Sequence, residues 1–467
     1  MSEPTAVVIG GSLTGLLAAA ALSRYADVTV VERDTLPEGP APRRGLPQAR
    51  HAHLLWSGGI GAIESVLPGF PDALVAAGGR RVPMFADLVS LSPQGPWLPR
   101  WDHPHSMLVA SRDLLDATVR ARVLATARVG LLEQADALGL TGDARRVTGV
   151  RVLRDGAESV LGADLVVDAS GRGTRAPVWL SALGLPPVRV RTVDSGVGYA
   201  TRVFRAPTGA LPVVNVQADP RSGGPGRTGV ILPVEGGRWV VTLSGTRGAR
   251  PDDDPDAFEA FARSLRHPVI GELIAGAEPL TGVAVSRSTA SLRRYYERCA
   301  HWPEGFVALG DAVATYNPLY GHGMSAAALS VVALRERVAR DGLAAPGLAR
   351  RVQRAAAGPV GTAWDVAVTQ DSCYEGASER PPTAVERLFG AYLDRVVVAG
   401  GRSRGASLAM LDVMSMSRPP ARLLTLPVLA AALRHGRRGR PAGDPPLLPH
   451  ERAGTGRPGG QPPPQDG

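Results

Sequence analysis

The stretch Thr5-Ala6-Val7-Val8-Ile9-Gly10-Gly11-Ser12-Leu13-Thr14-Gly15-Leu16-Leu17-Ala18-Ala19-Ala20-Ala21-Leu22-Ser23 decides how the chain is read. Ala6–Ile9 is a short apolar run that stops at glycines, the pattern of a strand buried on both faces. Leu16–Ser23, rich in Ala and Leu, predicts a helix. Val28–Val31 repeats the buried-strand pattern. Strand, helix and strand in so short a span make a parallel crossover unit. Gly10 permits the tight turn, and Gly15 lets helix and strand approach closely. The helix start then aims free N–H groups at an anion such as a pyrophosphate. Gly11 and Ser12 complete the loop, with Ser12 where the usual G-x-G-x-x-G pattern has its middle glycine.

Glu32 ends the second strand, where an acid can accept hydrogen bonds from ribose hydroxyls and repel a 2′-phosphate. Arg33 is either its surface ion-pair partner or a further contact to a nucleotide. Outward from there, Leu36–Pro47 reads as loop and Leu114–Ala127 as helix. Val129–Leu140 and Arg146–Val152 read as strands around a turn at Gly142–Asp143. Asp164–Ala169 is another buried strand, leading into the loop Ser170–Gly173. From Val197 to Leu243 the texture changes to strands with Gly/Pro turns, among them Thr228–Pro233 and Arg238–Ser244. A helix over Pro255–Leu265 follows. Phe306–Leu309 returns to the buried-strand pattern, and Ser325–Ala339 predicts a long helix.

A second glycine-bearing segment follows Phe306–Leu309: Gly310-Asp311, then Asn317-Pro318 and Gly321-His322-Gly323-Met324-Ser325. Asp311 is placed to accept a hydrogen bond from a sugar-like hydroxyl. Gly321 and Gly323 let backbone approach a flat ring, and the helix start near Met324 brings its positive end there.

Together, Gly10–Gly15, Glu32 and the Gly310-Asp311…Pro318…Gly323 segment resemble FAD monooxygenases of the p-hydroxybenzoate hydroxylase fold. Within them the chain is similar to flavin-dependent epoxidases of bacterial polyether ionophore biosynthesis. That likeness rests on Arg43-Arg44-Gly45-Leu46-Pro47-Gln48-Ala49-Arg50-His51-Ala52-His53-Leu54-Leu55-Trp56, on Tyr199-Ala200-Thr201-Arg202, and on Trp302-Pro303-Glu304-Gly305 with Tyr316 through Ala327. The resemblance implies an α/β fold: a Rossmann-like FAD-binding domain with an inserted antiparallel-sheet substrate domain and C-terminal helices. The expected division is 1–75, 105–180 and 296–345 for FAD binding, and 76–104 with 181–295 for substrate. A helical region at 346–435 and a disordered tail at 436–467, rich in Pro, Gly and Arg, complete it.

The resemblance also assigns the FAD ribityl chain to Asp311. It makes Arg112, at the start of its helix, and Arg43 further FAD contacts, beside Gly10, Gly11, Ser12, Gly15, Glu32, Arg33, Pro318, Gly321, Gly323, Met324 and Ser325. It implies epoxidation of the alkenes of a polyene polyketide by a flavin C4a-hydroperoxide formed from O2. Related readings are hydroxylation of an aromatic or polyketide ring, reduction of isoprenoid double bonds, and non-catalytic flavin binding. Many relatives carry an Asp-Gly motif where this chain has Asp168-Ala169-Ser170-Gly171-Arg172. Electrons are therefore expected from NAD(P)H or from a separate flavin reductase. No catalytic residue beyond the flavin is assigned.

Composition narrows the alternatives. The net charge is +9, yet all 52 basic residues are arginine and, apart from a cluster at Arg434, Arg437, Arg438 and Arg440, they are scattered, without a nucleic-acid-binding signature. The related flavin halogenases use an essential lysine, which a chain with no lysine cannot supply. Cys299 and Cys373 stand far apart, which fits a reducing cytoplasm and argues against dithiol chemistry. His51 and His53 lack a third ligand nearby, so no metal is expected. No apolar run has the length of a membrane span, and Leu423–Leu433 is expected to pack as a helix.

Overall fold

The buried apolar runs assemble into one parallel sheet, in the order Phe306–Ala308, Leu165–Asp168, Thr5–Ile9, Asp27–Val31, Val129–Leu132. The computed structural model describes residues 3–95, 97–207, 212–287, 289–378, 383–437 and 443–452. Helix Leu13–Leu22 is buried along nearly its whole length, sandwiched between the sheet and helices Ser57–Val66, Arg112–Leu124 and Gly323–Asp341. It begins at Leu13 rather than Leu16, because Ser12 is extended (φ −99°, ψ −175°) and every residue after it is helical.

Val129–Leu140, expected as one strand, divides in two. Val129–Leu132 closes the parallel sheet, while Ala135–Gly142 begins a separate antiparallel meander with Val147–Arg154 and Ala157–Gly162. The break falls at Gln134, whose φ of +54° no continuous strand accommodates.

The inserted layer is a six-stranded sheet in the order Ala284–Ser286, Gly198–Arg205, Arg238–Gly245, Arg227–Val234, Val213–Val216, Leu88–Leu91. All its pairings are antiparallel except the last, which is parallel. Strict alternation splits its side chains between two faces. Ala200, Phe204, Val241 and Leu243 pack on Phe258 and Ile270 of helices Pro255–Arg263 and Val269–Ile274. Leu232 and Val240 face Trp56, Met84, Phe85 and Met107 on the other side. Thr201 pairs directly with Thr242, and Tyr199 with Ser244, on that same inward face. Arg80–Pro83 pairs instead with Ser106–Val109, which also pairs with Leu54–Leu55. The chain after 346 is helical as expected, with Leu348–Asp371, Ala384–Gly400, Arg404–Met414 and Leu426–His435. Among the described residues no helix is long and apolar enough to cross a membrane.

Part of the segment expected to be a disordered tail is folded onto the body. Leu447 joins the core beneath the inserted sheet, and the Trp97 indole donates to the Gly443 carbonyl at 2.7 Å. Arg100 pairs at 2.6 Å with Glu451, which is almost fully buried. Composition alone concealed this, because a single leucine and one acid suffice when a ready-made groove receives them. The rest of the expected tail, 438–442 and 453–467, lies outside the described residues. Removing residues 443–467 is therefore expected to lower stability by about 1–3 kcal/mol, since it uncovers Leu447's contacts and strips partners from Trp97 and Arg100. Thermal unfolding of the truncated chain checks this; an unchanged melting temperature would show the docking to be incidental.

Candidate functional site

The glycine loop is built around positions where a side chain has no room. Gly10 has φ +104°, and a Cβ there would meet the Ala169 carbonyl oxygen at 2.6 Å. A Cβ on Gly15 would lie 1.8 Å from the Gly10 carbonyl oxygen. The first-turn N–H groups of Leu13, Thr14 and Gly15 precede the first intrahelical bond, from Leu16 N–H to the Ser12 carbonyl. The Ser12 hydroxyl does not cap them; it accepts instead from the Arg112 guanidinium at 3.0 Å. These N–H groups are thus left for an anion.

Glu32 is nearly buried and accepts from the Gly11 N–H at 2.7 Å and the Asp34 N–H at 3.0 Å. Its ion-pair partner is Arg43, at 3.3 Å, and not the adjacent Arg33, which is exposed. Arg43 also donates to the Gly11 carbonyl and pairs with Asp116, which pairs in turn with Arg120. Arg43 therefore braces the glycine loop from behind. A carboxylate has about four acceptor positions, so one on Oε1 of Glu32 stays open to a hydroxyl. Arg33, Arg43, Arg44 and Asp34 line a cleft of about 450 Å³ alongside.

The second glycine segment docks directly on the first: a Cβ on Gly310, whose φ is +62°, would meet the Thr14 hydroxyl at 2.5 Å. Asp311 follows it. Burial raises its carboxyl above the usual range, opposed by the charges of Arg112 and Arg172. It makes no hydrogen bond or ion pair among the described residues. Arg112 is buried more deeply, lies against the Met324 sulfur, and leaves its buried Nε without a partner. Asp311, Arg112, Ser12 and Met324 therefore converge between the two loops with bonding capacity unspent.

Beyond Asp311, Pro318–Tyr320 forms one 3₁₀ turn, Gly321 takes φ +66°, and helix Gly323–Asp341 starts without a side-chain cap. A Cβ at Gly321 would come within 3.3 Å of the Trp56 indole, which donates to the Tyr320 carbonyl. Ser325 is buried against Gly59 and accepts the Trp56 N–H, so it holds the segment in place rather than lining the groove. Pro318 is exposed.

A cluster whose carboxylate the sequence did not point to lies beneath this turn. Asn317 accepts from the Tyr199 hydroxyl at 2.5 Å and donates to Asp371 at 3.0 Å; Tyr320 donates to the same carboxylate at 2.8 Å. It ties the turn to both the inserted sheet and helix Leu348–Asp371. Asp371 is more than fifty residues from the motif, so no local pattern signals it. Burial pushes its carboxyl up to about 6, against hydrogen bonds from Tyr320, Asn317 and Ser195. The folded protein thus holds this proton more tightly than the unfolded chain, with its ordinary value of 3.8. The stability it contributes is full below that value and is lost as pH rises through about 6, by about 3 kcal/mol. Asp371→Asn, which does not titrate, is expected to gain on the natural protein by about that amount between pH 4 and 7. Urea unfolding across that range tests it; a constant difference would rule the linkage out.

The residues present fit a dinucleotide extended across both loops: donors without acceptors at 13–15, one open acceptor on Glu32, and midway Asp311, without a hydrogen bond among the described residues, beside the unpartnered Nε of Arg112. Among the described residues no group of three or more His, Cys, Asp or Glu could hold a metal.

The chain is 33% identical over 448 residues to Protein Rv3254 of Mycobacterium tuberculosis, covering 93% of this chain and 94% of that protein. No family model matches. Among solved structures, the flavin-dependent brominase Bmp2 superposes with a TM-score of 0.66 at 14% identity, over 92% of this chain and 98% of that one. PqsL, a probable FAD-dependent monooxygenase from Pseudomonas aeruginosa, gives 0.60 at 19% identity, over 80% and 99%. The flavin-dependent halogenase CmlS gives 0.62 at 19% identity, over 89% and 78%. At such identities the likeness is one of fold: a mixed α/β architecture with a parallel sheet, antiparallel sheets and C-terminal helices.

Proposed function

The chain belongs to the same family as Protein Rv3254 of Mycobacterium tuberculosis, and for this member we propose FAD-dependent oxygen transfer to the carbon–carbon double bonds of a polyene polyketide. The observation that carries the reading is the convergence of Asp311, half-buried and without a hydrogen bond among the described residues, and Arg112, buried with its Nε unpartnered, between two glycine loops that touch. The neighbouring folds belong to flavin-dependent enzymes, which supports FAD as the ligand.

When bound and reduced, FAD supplies the activation of O2 and the delivery of one oxygen atom. The chain's own contribution is to bind, orient and exclude water. The N–H groups at 13–15 receive the pyrophosphate, Glu32 a ribose hydroxyl, and Asp311 a ribityl hydroxyl. Gly321 and Gly323 let backbone lie against the ring, and the helix start at Gly323 favours negative charge near it. The inward face of the inserted sheet, with Tyr199, Thr201 and Thr242, closes the other side and keeps out water that would waste the oxidant. An alkene needs no base to make it a nucleophile, which accords with a site where none stands out. The chain has no lysine, so oxygen transfer is favoured over halogenation although halogenases share the fold. Oxygen transfer to an aromatic ring is the second reading, since PqsL of this fold is known in complex with 2-aminobenzoylacetate. Electrons come from NAD(P)H or a separate flavin reductase.

The test is product mass after the FAD-loaded protein, chemically reduced, meets ¹⁸O₂ and a conjugated triene. One labelled oxygen per epoxide is expected. A labelled phenol from an aromatic probe alone would move the assignment to ring hydroxylation. An unlabelled, saturated product would make the protein a double-bond reductase.

A further inference from the structure

Two histidines on the segment after the arginine-rich loop make ordered hydrogen bonds. His51 Nδ1 lies 2.8 Å from the Thr201 hydroxyl, and Thr201 lies 2.7 Å from the hydroxyl of its cross-strand partner Thr242. The Thr242 oxygen also accepts the Ala52 N–H at 3.1 Å. Only one direction along this chain uses both hydroxyl protons: Thr242 donates to Thr201, and Thr201 donates to His51 Nδ1. The opposite direction would leave the buried Thr242 proton with no acceptor among the described residues, which is costly. His51 Nδ1 is therefore the acceptor, and its ring proton sits on Nε2.

His53 has the opposite arrangement. Its Nδ1 lies 2.9 Å from the His51 carbonyl oxygen, which can only accept, so Nδ1 carries the proton and Nε2 a lone pair. Both rings are kept neutral. Burial and the charge of Arg50 lower the value for His51; burial, with Arg112 beside it, pushes His53 down to about 3. Neither Nε2 has a partner among the described residues, and both residues are only half-buried. The His51 ring stands 6.2 Å from that of Tyr199 on the inserted sheet, while His53 neighbours Arg112 on the cofactor side.

We propose that His51 and His53 are a neutral donor–acceptor pair that reads an oxygen function on the substrate. His51 Nε2–H binds a carbonyl or hydroxyl oxygen, and His53 Nε2 accepts from a hydroxyl. The pair selects hydroxy- or keto-polyenes over plain hydrocarbons of the same length. A neutral donor also gives a carboxylate no ion pair. This rests on the reading that the protein takes an alkene-bearing small molecule.

Two measurements on the FAD-loaded protein test it. Ring ¹⁵N correlation spectra between about pH 5 and 8 are expected to show His51 protonated on Nε2 and His53 on Nδ1, with neither ring titrating. The reverse tautomer at His51, or titration of either ring near the ordinary histidine value, overturns the proposal. Flavin-fluorescence titration then compares all-trans undecatriene with an undecatrienone. The natural protein is expected to bind the ketone about 3- to 10-fold tighter, the worth of one net hydrogen bond. His51→Asn keeps an acceptor for Thr201 but loses the Nε2 donor, so its preference should vanish with FAD content unchanged. His51→Gln, whose amide nitrogen reaches the Nε2 position, should retain most of it. A preference that survives His51→Asn, or equal binding of both probes to the natural protein, overturns the histidine pair alone. Binding of neither probe overturns the alkene reading and the pair with it.

Discussion

Gly15→Ala is expected to abolish FAD loading and to destabilise the fold by about 1–3 kcal/mol, the range for forcing an extra methyl group into a packed site. The added Cβ would sit 1.8 Å from the Gly10 carbonyl oxygen and 3.3 Å from Val8. The first is a backbone atom of the glycine loop and cannot rotate aside. Either the helix start or the loop must move, and with them the N–H groups proposed to receive the pyrophosphate. FAD content after reconstitution and urea unfolding read the two effects separately. Gly39→Ala, where nothing lies within 4 Å, is the matched control and should change neither. A Gly15→Ala protein that loads FAD normally would show that this loop does not hold the cofactor.

Asp311→Ala is expected to weaken FAD binding about 10- to 150-fold, because a hydrogen bond to a charged group contributes about 1.5–3 kcal/mol. Two effects combine. The ribityl hydroxyl loses its acceptor, and Arg112 loses one of the two acids, Asp116 and Asp311, that most favour its charge. Asp311→Asn, which keeps an acceptor but not the charge, should fall between. Titration of the apoprotein with FAD gives the constants. An unchanged constant in a folded variant would remove Asp311 from the site and leave the pyrophosphate loop to account for binding.

Much of the site could be read from the chain because its requirements are local. A backbone that must approach a phosphate needs glycine at a set distance from a strand end, and Gly10, Gly15, Gly310 and Gly321 all occupy places where a Cβ is excluded or strained. The buried strands were legible as apolar runs because strands covered on both faces are mostly apolar, with polar residues such as Thr5, Asp27 and Asp168 at their ends. Arg43 was expected from the sequence as an FAD contact, and only the folded chain shows that its guanidinium pairs with Glu32 and Asp116.

The sequence by itself determined the crossover unit, the paired glycine segments, the inserted sheet and the C-terminal helices, because helical and strand periodicity and glycine's missing side chain act over a few residues. The tertiary structure alone decided which distant groups meet. Asp371 reaches Asn317 and Tyr320 across more than fifty residues, and Thr201 and Thr242 orient His51 across one hundred and fifty or more. It also broke the strand at Gln134 and laid residues 443–452 on the body. These outcomes depend on burial and on the direction of hydrogen bonds between elements, and neither exists until the chain has closed around them.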